Sequence, residues 1–216
     1  AYGGIVGIDF ENKTEPKIEP ISFDFSDYEL EMVITDTRGC HADLTDEYAA
    51  VPPEMREIAH YYGKENLRQV DFNDFIRDMG KIREKVKNDR AILRAYHFFK
   101  ENDRVRYMLS ELKEGDIDTF LYNVTESGNS SFRFLQNVYP SSCPSEQGVS
   151  LAIALSEDIL DGEGAVRVHG GGFAGTIQAY VPKRLLSRYI EGMESLFGKG
   201  CTTVISVRSL PVARIY

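Results

Sequence analysis

The residues best suited to chemistry lie in Gly170-Gly171-Gly172-Phe173-Ala174-Gly175, a glycine-dense stretch between two short runs that alternate apolar and other residues. Glycine tolerates positive φ and lets a backbone approach a ligand closely, so such a bend can turn its amides toward an anion. The spacing Gly170-x-Gly172-x-x-Gly175 also satisfies the dinucleotide fingerprint. That fingerprint needs a helix directly after the loop, whereas Thr176-Ile177-Gln178-Ala179-Tyr180-Val181 is β-rich and Pro182 follows, so the match reads as accidental. A tight hairpin without a ligand uses the same residues, because glycine serves turns as readily as phosphates. His169, beside the glycines, can protonate near neutral pH or donate to a phosphate; a strand-end position also satisfies an imidazole through backbone bonds. Ser127-Gly128-Asn129-Ser130-Ser131 is the serine cluster to test as a phosphate loop, and it reads as a polar turn or fraying helix. Asp43, Asp46 and Glu47 suit helix capping or solvation, and His41 and His60 lack the spacing of a metal pair. No metal site is indicated.

These residues need elements to position them. Ile5 to Phe10 and Ile18 to Phe25 alternate as strands, and Glu29 to Asp36 reads as a third with an apolar centre. Asp43 to Met55 has helical character, broken or restarted at Pro52-Pro53. From Asn73 to Leu160 the period is helical: Phe75, Met79 and Ile82, then Ile92, Ala95, Tyr96 and Phe99, then Met108, Leu109 and Leu112. Gly115 reads as a helix stop, Asp116 as the next cap and Pro144 as a first-turn proline. Strand, glycine loop, strand, a helix from Lys183 to Phe197 and a last strand from Thr202 to Val207 follow. Four strands with helices packed on one face make an α+β layer architecture.

Composition narrows the partners. The chain has 216 residues, 42% of them hydrophobic and 11% aromatic, enough for one sizeable core. With 25 basic against 34 acidic residues the net charge is −9, which disfavours a nucleic-acid footprint. No apolar run reaches the roughly 20 residues of a bilayer span, so membrane partners are not expected and the reading is cytoplasmic. Cys40, Cys143 and Cys201 are widely spaced and odd in number, which suits buried thiols rather than a disulfide framework.

The segment Gly164-Ala165-Val166-Arg167-Val168-His169-Gly170-Gly171-Gly172-Phe173-Ala174-Gly175 resembles the third motif of the GHMP small-molecule kinases in its galactokinase form, Gly-Ala-Arg-x-Thr-Gly-Ala-Gly-Phe-Gly-Gly. His169, Ala174 and Thr176 depart from it. Arg94-x-x-His97-x-x-x-Glu101-Asn102-x-Arg104-Val105 is similar to a helix pattern of the same family. So are Thr125-Glu126-Ser127, Ser142-Cys143-Pro144, and His41-Ala42-Asp43-Leu44-Thr45-Asp46-Glu47-Tyr48.

The resemblance implies the C-terminal half of a galactokinase-like sugar 1-kinase, ferredoxin-like, with a four-stranded antiparallel sheet and a helical insertion. It implies residues 1–28 as a strand hairpin from the edge of the missing N-terminal domain and 29–216 as the C-terminal domain, with a helical block at about 73–160. In this family the phosphate loop and the catalytic aspartate lie in the other half. No catalytic residue is therefore expected here, and the 216 residues alone are expected to be inactive. ATP and Mg²⁺ would be bound mainly by the missing half, with a small-molecule sugar and the N-terminal kinase domain as partners. Tyr48 matches a tyrosine that packs near the sugar, although Ala49-Ala50-Val51-Pro52 departs from what usually follows it. Gly170, Gly171, Gly172 and Phe173 would line the cleft. A catalytically silent sensor of the same fold and a free-standing ferredoxin-like binding module are the alternatives.

Overall fold

Short polar side chains start three of the six α-helices in the computed structural model, which describes residues 4–12, 14–39, 44–173 and 175–207. A hairpin, β1 (Ile5–Asp9) with β2 (Lys17–Ile21), precedes β3 (Leu30–Asp36). Five helices follow: α1 (Thr45–Tyr61), α2 (Phe72–Val86), α3 (Asp89–Glu114), α4 (Ile117–Ser130) and α5 (Gly148–Leu160). The chain closes with β4 (Ala165–Val168), β5 (Thr176–Pro182), α6 (Leu186–Phe197) and β6 (Thr202–Ile205). Asp71, Asn88 and Asp116 each accept from a first-turn amide of α2, α3 and α4, satisfying donors that a helix start leaves open. Gly115 ends α3 in the left-handed region, as its position after the apolar stripe predicts.

The last four strands form one antiparallel sheet in the order β4-β5-β3-β6. Alternation along β5 sends Ile177, Ala179 and Val181 into a core shared with α5 and α6, where Val149, Ala152, Tyr189 and Met193 are buried. The opposite face carries Tyr180, packed on Phe25 and Phe120 with Leu112 of α3. A third cluster, built on Ile58, Phe75, Ile82, Ile92 and Phe99, joins α1, α2 and α3. The sheet is therefore the platform, and α1 to α4 are an insertion between β3 and β4, of which α1 to α3 share a core of their own and α4 packs against the sheet.

Three local expectations give way to packing. Helix α1, expected over Asp43 to Met55 with a break or restart at Pro52-Pro53, runs from Thr45 to Tyr61 without interruption through both prolines. Each proline removes a backbone bond at a cost of about 3 kcal/mol. The burial of Ile58 and Ala59 against α3 offsets that cost. Helix α5 begins at Gly148, beyond Pro144, which sits in a turn. The serine cluster is neither a polar turn nor a frayed end: Ser127, Ser130 and Ser131 are buried where α4 passes into a π-helical turn, Ser131–Leu135. Among the described cysteines Cys201 is buried and Cys143 half-buried, both free; Cys40 lies outside the described residues.

Candidate functional site

The glycine stretch is the connection of the β4–β5 hairpin. Val168 pairs with Ile177, and the His169 N–H donates to the Thr176 carbonyl at 2.9 Å, so the residues between are free of the ladder. Gly170, Gly172, Phe173 and Gly175 all have positive φ. For Phe173 (φ 61°) that conformation is unusual and has to be held by its surroundings.

Three elements do the holding. From the end of β3, the Thr37 amide and hydroxyl both donate to the Gly175 carbonyl at 2.7 Å. From the segment after the π-helical turn, the Asn137 carbonyl accepts the Phe173 N–H, and its Nδ2 donates to the Gly171 carbonyl at 3.0 Å. From α1, the Tyr48 hydroxyl donates to the Gly172 carbonyl at 2.7 Å, and its ring meets Phe173 edge-on at 5.1 Å. The packing explains the glycines. A Cβ at Gly171 would lie 2.5 Å from the Tyr48 ring, and one at Gly172 would overlap the Asn137 backbone. Gly170 has open space. Phe173 is buried and also walls a cavity of about 290 Å³ with Thr37, Pro140, Gly148 and Val149.

The neighbours of Tyr48 position it. Glu47 is buried and accepts from the Ser141 amide and hydroxyl at 2.7 and 2.6 Å and from the Ser142 amide at 3.2 Å. Burial pulls its carboxyl upward, and these bonds outweigh that and hold it below the usual carboxylate range. Two turns on, Glu54 pairs with Arg90 and with the fully buried Arg94, whose Nε donates to the Leu135 carbonyl at 3.1 Å. Helix α1 thus ties both ends of the segment that carries Asn137.

The structure brings Tyr48, Gly171, Gly172 and Phe173 into one contact group. His169 stands apart, exposed, with Nδ1 at 3.1 Å from Gln178 Oε1. His60 is exposed on α1 and His41 lies outside the described residues. Sequence reasoning missed Asn137, Thr37 and the Glu54–Arg94 pair. Asn137 and Thr37 carry no local signal, because their partners are 34 and 138 positions away. Among the described residues no group of three His, Cys, Asp or Glu side chains is placed to hold a metal ion, and no helix is long and apolar enough to cross a membrane.

No family model matches the chain. It is similar to the galactokinase of Thermotoga petrophila, 28% identical over 178 residues, covering 79% of this chain and 45% of that protein. Human galactokinase is 30% identical over 151 residues, covering 69% of this chain and 35% of that protein. The crystal structure of Lactococcus lactis galactokinase complexed with galactose superposes with a TM-score of 0.71 at 17% identity, over 95% of this chain and 51% of that one, which shows the shared fold. The chain is a galactokinase-like GHMP kinase C-terminal region. It spans about half the length of the curated relatives it matches.

In this galactokinase-like region the motif residues divide into two groups. Those around the glycine loop form the site above. A second group interlocks below the sheet: Arg167 on β4 donates to Ser127 Oγ at 2.7 Å, and Ser127 donates to Glu101 Oε2 at 2.6 Å. Glu101 also pairs with Arg104. His97 is buried with Nδ1 at 2.9 Å from Ser130 Oγ. Burial first, then the charges of Arg167 and Arg104, push its pKa down to about 4, so the imidazole is neutral near pH 7.

Proposed function

We propose that this chain is the C-terminal region of a galactokinase-like sugar 1-kinase, which transfers the γ-phosphoryl group of ATP to the anomeric hydroxyl of galactose or a related sugar. The observation that carries the reading is the joining of Tyr48 to the glycine loop through its hydroxyl and ring, in a chain whose relatives are galactokinases. Residues 29–216 would form the C-terminal domain, and residues 1–28 would belong to the edge of an N-terminal domain. The exposed apolar side chains of Ile8, Phe10 and Ile18 on that hairpin suit burial against it. Tyr48, Gly170, Gly171, Gly172 and Phe173 would line the sugar end of the cleft.

Phosphoryl transfer depends on positioning and charge neutralisation more than on covalent chemistry of the protein. Among the described residues no group of three His, Cys, Asp or Glu side chains is placed to hold a metal ion. ATP and Mg²⁺ would be bound mainly by the missing N-terminal half. The contribution of this region is a wall whose backbone is fixed before the substrate arrives, at no reorganisation cost during the reaction.

The test is to express the protein with its upstream coding region and follow transfer of labelled phosphate from ATP to galactose. Sugar 1-phosphate is the expected product. Binding of galactose without turnover would support a silent sensor instead, and neither binding nor turnover with galactose or related sugars would end the reading.

A further inference from the structure

The loop has two clamps, and their geometry says where the Gly172 amide points. The peptide between Gly172 and Phe173 is held at both poles: its carbonyl accepts from the Tyr48 hydroxyl and its N–H donates to the Asn137 carbonyl. The C=O and N–H of a trans peptide point in opposite directions, and no peptide here is cis. Tyr48 and Asn137 therefore lie on opposite sides of the loop.

The preceding peptide, between Gly171 and Gly172, has its carbonyl on Asn137 Nδ2 at 3.0 Å. By the same geometry the Gly172 N–H points away from Asn137, to the side where Tyr48 stands, and among the described residues it has no acceptor. The Asn137 side chain is nine-tenths buried or more, and its Oδ1 has no donor among the described residues. An amide kept at such a position, with its acceptor unsatisfied, is kept for what its donor does.

We propose that Asn137 is a positioning residue that pins the Gly171–Gly172 peptide so that the Gly172 N–H, on the Tyr48 side of the loop, donates to a ligand oxygen. This rests on the reading that the Tyr48 side faces the substrate. The ligand chemistry is an oxygen acceptor, supplied either by a sugar hydroxyl or by a phosphoryl oxygen. Asn137 itself touches no substrate. It acts through the loop, across a separation of 34 positions that no sequence pattern reveals.

The test is amide hydrogen exchange in the peptide covering residues 169–175 of the full-length protein, for wild type and Asn137→Asp, alone, with galactose, and with a non-hydrolysable ATP analogue plus Mg²⁺. Asp keeps the shape, removes the donor and sets a carboxylate oxygen against the Gly171 carbonyl. The expected result is loop exchange at least about tenfold faster in the variant without ligand, an increase that the conversion of 1.4 kcal/mol per factor of ten equates with loss of one good hydrogen bond. Exchange in α3 should not change. One of the two ligands should slow loop exchange in wild type and slow it less in the variant; which one does so identifies the oxygen.

Unchanged loop exchange in a folded Asn137→Asp overturns the clamp. If neither ligand slows the wild-type loop, the Gly172 donor role is overturned. A lack of phosphate transfer to galactose would instead count against the proposed function, and the ligand-free comparison would still decide Asn137. Should Asn137→Asp fail to fold, Asn137→Ser removes the same bond with a smaller, uncharged side chain and is expected to give the same acceleration.

Discussion

The interlock of Arg167, Ser127 and Glu101 and the clamp around Gly172 both include motif residues, yet they spend their hydrogen bonds differently. In the interlock, side chains bond to side chains: the Ser127 hydroxyl accepts from Arg167 and donates to Glu101, and both charged partners are drawn out of water. In the clamp, side chains bond to backbone, and the Tyr48 side is left half-open. A buried side-chain network fixes the relation of β4 to α3 and α4. A backbone clamp fixes the direction of amides and leaves the Gly172 N–H without an acceptor among the described residues. The difference separates motif residues that hold the scaffold from those that prepare a surface for a ligand.

The largest break should come from Gly172→Val. The new Cβ would overlap the Asn137 backbone, and a β-branched residue would be forced to φ 83°. From sequence alone this change is expected to cost activity before fold; the contact with Asn137 makes stability fail as well. The expected loss is at least about 3 kcal/mol, or roughly 10 °C in Tm. A normal Tm by calorimetry would show that the clamp yields easily.

The interlock side of the comparison is sharpened by pH. His97 has a folded pKa of about 4 against an unfolded 6.5, so the unfolded chain binds more protons between those values. Its contribution is fully present above pH 6.5 and is lost as pH falls toward 4, on the order of 3 kcal/mol at the limit. Tm measured from pH 7.5 to 4.5 should fall, and His97→Gln should flatten that slope. An equally steep slope in the variant would remove His97 as the cause.

Glu101→Gln comes next. It leaves Arg104 and Arg167 near one another without the carboxylate between them, at an expected cost of about 2 kcal/mol. The activity of the molecules that remain folded should be unchanged if the interlock is scaffold alone. A fall in kcat/KM with normal stability would place Glu101 on the functional side.

Tyr48→Phe should be the smallest effect on fold, about 0.5–1.5 kcal/mol for the bond to Gly172. Under the proposed function it should raise the sugar KM several-fold in the full-length protein. An unchanged KM would leave Tyr48 as a clamp only.

Much of the scaffold was legible in advance. Alternation announced β3 and β5, the apolar stripe announced α2 and α3, and Asp116 and Gly115 marked a real boundary. The prolines of α1 misled because proline propensity is local, whereas the burial of Ile58 and Ala59 depends on α3, more than thirty residues later. The serine cluster misled for a similar reason. Small polar residues read as a turn until a strand is seen to press on them, and here a Cβ at Gly128 would lie 3.0 Å from the Val166 carbonyl.

At the site, residue types and spacing were enough to single out the glycine loop, and the resemblance to a family added Tyr48. Both follow from short-range order along the chain, where glycine content alone dictates which backbone angles are open. What the loop does with that freedom was decided by Thr37, Asn137 and Tyr48, which reach it from β3, the segment after α4, and α1. Hydrogen bonds between residues 34 to 138 positions apart leave no period or spacing in a sequence. They exist only once the sheet, the helical insertion and the loop have been packed together, and they set which way each peptide of the loop faces.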